Sequence, residues 1–302
     1  MKKILFYCIA LLLFQSTVAQ EKYIDSLYKV NPVKTEIYST IDGEELIIDL
    51  YQPEISKSEE TPLIIFMHGG GFSGGSPKNP AEVEFARIAA AKGYSVGLIS
   101  YRLVRKGKET GFGCDFEATG KIETFQLAAE DFMDAALFMK KNAEKFNIDP
   151  ETIIVGGSSA GAEGVLNAVY NPDLMFDDLT KYSDIKFSAV MSLAGAIVDT
   201  RYLNEKNAIP GIFFHGTDDS LVPYATAPHH YCENDKAGYI ILDGSETIVE
   251  KLDKLNTSYL FYSFKDARHE ISGMPFEHLP EVFRFLKQVV FNHNKIQSTV
   301  YK

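Results

Sequence analysis

Apolar residues fall along this chain in two registers. Short dense runs, Pro62 to Met67, Tyr94 to Ser100, Thr152 to Val155, Phe187 to Leu193, Ile209 to Phe214 and Ser258 to Phe264, read as strands buried on both faces. Between them the apolar positions recur at helical spacing. Ala81 to Lys92 stops at Gly93, a C-cap signal. Ile122 to Phe146 carries Leu127, Phe132, Ala135, Ala136 and Met139, and Asp149-Pro150 closes its exit. Helical patterns also cover Ala160 to Tyr170, Glu246 to Asn256 and Glu277 to Asn292. Ahead of all these, Lys34 to Ile41 and Glu44 to Tyr51 flank Asp42-Gly43, a hairpin signal. An antiparallel N-terminal hairpin followed by repeated strand–helix units predicts an α/β protein. Its central sheet is mostly parallel, with helices on both faces.

The first residues follow a different logic. Lys2 and Lys3 precede an uninterrupted apolar run from Ile4 to Phe14, and small residues lead to Ala19. That is the pattern of a cleavable secretory signal peptide over 1–19, too short to span a bilayer, which takes about 20 apolar residues. Residues 20–302 contain no linker, low-complexity segment or internal repeat and are expected to form one domain, secreted or periplasmic, with no membrane span. Of the 3 Cys, Cys8 lies in the leader, which leaves Cys114 and Cys232 either bonded or as two separate buried thiols. No Cys-x-x-Cys pair is present to start a zinc ribbon. Composition is that of a globular protein, 45% hydrophobic and 24% charged, which excludes disordered and collagenous classes. Thirty basic against 41 acidic residues gives a net charge of −11, a field that repels nucleic acid.

Three loops carry the chemistry, and each follows a predicted strand. Gly157-Ser158-Ser159-Ala160-Gly161 is G-x-S-x-G set between a buried strand and a helix. Such a turn strains its central serine and needs small neighbours where strand and helix meet; Ser158 lacks the flanking glycine spacing. His68-Gly69-Gly70-Gly71-Phe72 follows Met67, and its three glycines allow main-chain N–H groups to converge on one point, as a developing oxyanion requires. A phosphate-cradling loop would need G-x-G-x-x-G or a G-K-[ST] ending, and neither is here. Gly74 and Gly75 are expected to add flexibility, and His68 to shape the loop through hydrogen bonds. Acid and base candidates lie in His215-Gly216-Thr217-Asp218-Asp219 and in Asp266-Ala267-Arg268-His269, both expected at the carboxyl ends of parallel strands. His229 and His230 read as helical surface or interface residues, as do His278 at the start of the last helix and His293 near the tail.

Together with Tyr101-Arg102-Leu103, these motifs resemble the α/β-hydrolase superfamily, and more narrowly secreted carboxylesterases of the H-G-G-G type related to hormone-sensitive lipase. The resemblance spans about residues 44 to 292 and implies the α/β-hydrolase fold. It further implies Ser159 as nucleophile, His269 as base, Asp219 rather than Asp218 as orienting acid, and oxyanion donors from Gly70, Gly71 and Ala160. It needs no cofactor and no metal. Ser158 and Ala162 replace the family's usual Asp and last Gly at the elbow. The segment Arg102 to Thr124 is longer than the family's usual connection. It leaves the same sheet edge as the active loops, so that Cys114 could reach Cys232 and pin a wall of the pocket. Its charges, including Lys106, Lys108, Glu109, Asp115 and Glu117, make a poor lipase lid. The implied activity is hydrolysis of small or medium acyl esters through an acyl-enzyme, acetyl or feruloyl esters of polysaccharide among them. A serine peptidase of the same fold and a non-catalytic binding protein are the competing readings. The acyl pocket is expected from Phe72, Phe112, Phe116 and Tyr224.

Overall fold

The computed structural model describes residues 20–56 and 58–302; the predicted leader, residues 1–19, lies outside them. In chain order the strands are β1 (Lys34–Ile41), β2 (Glu44–Tyr51), β3 (Thr61–Met67), β4 (Ser95–Ile99), β5 (Ile148–Ser158) and β6 (Ala189–Leu193). They continue with β7 (Ala196–Ile197), β8 (Gly211–Gly216), β9 (Thr226–Pro228), β10 (Ile241–Gly244), β11 (Tyr259–Phe264) and β12 (Gln297–Tyr301). The helices are α1 (Pro80–Ala91), α2 (Ala118–Lys141), α3 (Ala143–Phe146), α4 (Ala160–Tyr170), α5 (Pro172–Met175), α6 (Ser245–Lys254) and α7 (Leu279–Leu286).

Asp42 and Gly43 both take positive φ, 51° and 84°, the conformation a two-residue hairpin turn demands, and β1 and β2 pair antiparallel as expected. Among the described residues the main sheet has nine strands in the order β1-β2-β4-β3-β5-β6-β8-β11-β12. From β4 through β12 every pairing is parallel. Side-chain alternation sends each strand's residues to opposite layers. Leu63, Ile65 and Met67 of β3 pack with α2, α4 and α6, whereas Ile64 and Phe66 pack with α1 and α7. All seven β3 residues are buried, which is why the strand reads as a continuous apolar run. Among the described residues no helix is long and apolar enough to cross a membrane.

Several boundaries differ from the sequence reading. The long second helix starts at Ala118 instead of Ile122, because its first turn is held from outside. Ala118 N–H donates to Ala237 O (2.9 Å), and Lys121 Nζ to Gly238 O (2.8 Å). It then breaks at Asn142, whose N–H and side-chain amide both turn back on Phe138 O. The last predicted helix is three pieces: a 3-10 turn at Phe276–His278, α7, and a π-helical turn at Lys287–Phe291. Features that escaped the pattern include the short helix α5, the small antiparallel sheet β7-β10-β9, and β12, a polar edge strand stabilised by its parallel pairing with β11.

Candidate active site

β5 runs through Ser158 and α4 begins at Ala160, leaving Ser159 alone on the turn at φ 50°, ψ −123°. This is a costly conformation for a residue with a Cβ, on the order of 1–3 kcal/mol, and the surroundings hold it in place. Ser159 N–H donates to Leu193 O (2.8 Å), and Ser159 O accepts from Glu163 N–H (2.9 Å) as the first helical bond. A Cβ on Gly157 would strike the Gly161 backbone, and one on Gly161 would strike the carbonyls of Met67 and His68. The glycine spacing around Ser159 is therefore a steric requirement of strand, helix and neighbouring loop meeting at one point.

That neighbouring loop is His68-Gly69-Gly70-Gly71. His68 is buried, with Nδ1 2.7 Å from Gly69 O, and Tyr101 OH donates to His68 O (3.0 Å). Burial lowers the His68 imidazole below its ordinary range, the partial offset coming from the Gly69 contact. Gly75 is not a flexible extra, as its sequence context implied. A Cβ there would collide with Gly69 O and the His68 ring, so this glycine lets the loop close on itself. Arg102 fastens the following segment to α2, its Nε 2.8 Å from Asp131 Oδ1. Gly70 and Gly71 take positive φ, 128° and 60°, and line the cavity beside Ser159 and Ala160. Among the described residues the N–H groups of Gly70, Gly71 and Ala160 donate no hydrogen bond.

The structure brings Ser159, His269 and Asp219 into one line. Ser159 Oγ lies 2.8 Å from His269 Nε2, and His269 Nδ1 lies 2.7 Å from Asp219 Oδ2. His269 follows β11 and Asp219 follows β8, both at the carboxyl ends of parallel strands. Asp219 Oδ1 accepts from the N–H groups of Leu221 (2.9 Å) and Val222 (3.0 Å), and His215 Nε2 is 3.3 Å from Oδ2. Burial alone would raise the Asp219 carboxyl. The hydrogen bonds from His215 and His269 and their electrostatic pull on the carboxylate outweigh it and hold the group well below the usual carboxylate range. The two alternatives point elsewhere: Ser158 Oγ donates to Ser272 O (2.8 Å), and Asp218 is exposed with its carboxylate against Thr217. Chemically, the line is a hydroxyl whose proton can pass to an imidazole anchored by a carboxylate, facing free backbone donors.

The cavity above this line has a volume of about 540 Å³. Cys114 and Cys232 are joined by a disulfide, Cα atoms 5.3 Å apart, tying the segment after β4 to the segment after β9. Of the four aromatic pocket candidates, Phe112 lines the cavity. Phe72 is packed beneath against Phe112, Phe125 and Tyr101; Phe116 lies under Arg105, and Tyr224 donates or accepts at Ser263. His229 and His230 depart from the surface-helix reading. They occupy a 3-10 turn broken by His230 at φ 56°, and both face the cavity, with His229 fully buried. His278 is likewise buried, its ring 4.5 Å from that of Tyr262, whereas His293 is exposed.

Opposite His229 lies Glu163, one turn beyond Ser159 on α4 and buried. Burial pushes its carboxyl up to about 8, with His230 and His269 resisting. Burial and the charge of Lys121 push His229 down to about 3, and burial with His229 pushes His230 down to about 4. Glu82 of α1 also lines the cavity, and burial raises it to about 8. Nothing in the sequence flagged Glu163 or Glu82, and His229 and His230 read there as surface residues, because the distinguishing property of these groups is the company they keep in space.

Strand order and the placement of these loops are those of an α/β-hydrolase. The chain belongs to the BD-FAE family, whose model matches residues 48–207, a span that holds the glycine loop and Ser159 but ends before Asp219 and His269. It is 30% identical over 171 residues to neuroligin-like protein glit-1 of Caenorhabditis elegans, covering 56% of this chain and 20% of that one. It is 32% identical over 136 residues to gut esterase 1 of the same organism, covering 45% and 23%. The chain thus spans about a fifth of the length of these curated relatives. In fold it is similar to esterase 2 of Thermogutta terrifontis phosphorylated by paraoxon, with TM-score 0.61 and 18% identity over 86% of this chain and 95% of that chain.

Proposed function

We propose that this chain is a serine carboxylic-ester hydrolase of small or medium acyl esters, acting through an acyl-enzyme. The observation that carries the reading is the continuous hydrogen-bonded line from Ser159 through His269 to Asp219, set beside three unengaged N–H groups. In the reaction His269 takes the Ser159 proton as Oγ attacks the ester carbonyl, while Asp219 fixes the tautomer and stabilises the imidazolium. Gly70, Gly71 and Ala160 receive the oxyanion, each donor worth about 3 kcal/mol. The alcohol leaves with the proton from His269, and water repeats the sequence on the acyl-enzyme. Residues 20–302 act as one catalytic domain, exported by the 1–19 leader; the Cys114–Cys232 disulfide supports an oxidising compartment. The cavity volume suits short acyl groups and single hydroxycinnamoyl rings, so acetyl and feruloyl esters of polysaccharide fall within the proposed range.

The test is turnover of p-nitrophenyl acetate, butyrate and octanoate and of a ferulate ester by wild type and Ser159→Ala. We expect the variant to lose at least about 10³-fold in kcat. Equal, feeble rates in both proteins would overturn the proposal.

A further inference from the structure

Beyond the reacting serine, the cavity holds a second carboxyl–imidazole pair whose polar atoms have nothing to bond. Glu163 and His229 are both buried, 2% and 0% exposed, and His229 Nε2 stands 3.2 Å from Glu163 Oε1. Their orientation does not make a hydrogen bond. Among the described residues Glu163 Oε1 and both ring nitrogens of His229 lack any partner. Both side chains line the cavity that Ser159 and His269 also line. Natural interiors rarely leave such atoms unpaired, since each loses its hydration with nothing in return. Three unpaired atoms in one wall of a cavity mark a place where a ligand completes the pairing.

The wall is also firmly built. Phe112 and Phe125 meet the His229 ring edge-on at 5.4 and 6.2 Å, and the disulfide holds Cys232, three residues on, against the Phe112 segment. Lys121, fully buried, stands behind Phe112 with Nζ engaged by Gly238 O.

We propose that Glu163 and His229 form a recognition subsite for a hydroxyl group carried by the ester substrate, close to its reacting carbonyl. This deepens the esterase reading and rests on it. An alkyl chain would leave all three atoms unpaired. A cation would face the charge of Lys121, and an anion would face that of Asp219. A hydroxyl both donates and accepts, and so it completes a carboxyl and an imidazole at once. The preferred substrates are therefore hydroxyacyl esters or esters of polyols and sugars, in preference to plain alkyl esters. Sites that hydrogen-bond a substrate hydroxyl discriminate strongly against analogues that lack it.

The test uses the oxidised chain and two matched pairs. One is p-nitrophenyl butyrate against p-nitrophenyl 3-hydroxybutyrate, and the other is propyl acetate against glycerol 1-acetate, with rates divided by those for hydroxide. In at least one pair the hydroxylated member should have kcat/KM at least about tenfold higher. That ratio should collapse to within about twofold in Glu163→Leu and His229→Leu, while Glu163→Gln, which still donates and accepts, should retain part of it. Equal rates within both pairs overturn the subsite and leave the esterase reading standing, as does a ratio that survives both leucine variants. If none of the four esters is turned over, the esterase reading fails. The subsite is then judged on Ser159→Ala by ligand-observed NMR with the same pairs: about tenfold tighter binding of a hydroxylated member supports it, and equal binding removes it.

Discussion

Two carboxyl–imidazole pairs share one cavity and differ in almost every physical respect. Asp219 receives two backbone N–H groups and two imidazoles, so its charge is stabilised in place and the His269 ring is held by a 2.7 Å bond. Glu163 receives no side-chain or backbone donor among the described residues, and burial pushes it to about 8, beside an imidazole pushed to about 3. Each pair sets a buried carboxyl beside an imidazole, but His269 is partly exposed where His229 is buried, and the donors aimed at the two carboxyls differ. One acid is prepared to stay ionised and orient a base. The other stays neutral and suits a neutral partner. The contrast shows that a catalytic relay is defined by what surrounds the acid, more than by the presence of an acid and a histidine.

The sharpest way to break the first pair is Asp219→Asn. The amide keeps the volume but cannot stabilise the imidazolium or hold its tautomer, so kcat should fall by about 10⁴-fold, read by steady-state hydrolysis of a p-nitrophenyl ester. A smaller effect separates the two pairs mechanically. Cys114→Ser/Cys232→Ser removes a link across a sequence separation of 118 residues. It should cost about 3 kcal/mol in a urea titration, because the unfolded chain regains freedom. The wall carrying His229 should loosen, while the Ser159–His269–Asp219 line, held by β5, β8 and β11, keeps its geometry.

The smallest effect reads the opposite protonation preferences directly. Glu163 is raised in the folded chain, so its contribution to stability is full below about 4.5 and is lost as pH climbs toward about 8. His229 is lowered, so its contribution is full above about 6.5 and is lost as pH falls toward about 3. Asp219, held low, stabilises above the ordinary carboxylate range and loses that support only in strong acid. Melting temperature should therefore decline on both sides of a maximum near mildly acid pH. Glu163→Gln should flatten the alkaline decline by about 3 °C, and His229→Gln should flatten the acid one by a similar amount. If both declines persist unchanged in the variants, the neutral character assigned to the second pair is wrong.

What could be read from the chain alone follows the same division. The hairpin at Asp42-Gly43, the elbow around Ser159 and the glycine loop after Met67 are written in short runs of residues, the hairpin because its turn takes positive φ and the other two because a Cβ at their glycines would meet backbone. Asp219 and His269 could be placed because each follows a recognisable buried strand. The second pair was invisible for a definite reason. Glu163 looks like any acid in a helix's first turn, and His229 sits next to His230 in a turn whose positive φ no propensity announces. Lys121 looks like a solvated lysine, and its burial depends on Gly238, which lies 117 positions away in the chain. Gly75 was misread because the atom it must avoid, the His68 ring, is brought back only when the loop closes. β12 was missed because an edge strand needs little apolar content when its neighbour supplies the ladder.

The cystine bond also divides the proposed site by chain topology. It closes a covalent ring from Cys114 to Cys232 that contains Ser159, Ala160, Glu163, Asp219 and His229, while Gly70, Gly71 and His269 lie on the two open arms outside it. A single backbone cut inside the ring, for example in the exposed stretch around Asp177 and Asp178, would leave both fragments covalently attached. A cut between the ring and His269 would free the arm that carries His269. Toward proteolysis, the ring makes its own interior tolerant of nicking and concentrates vulnerability in the connection from Cys232 to His269.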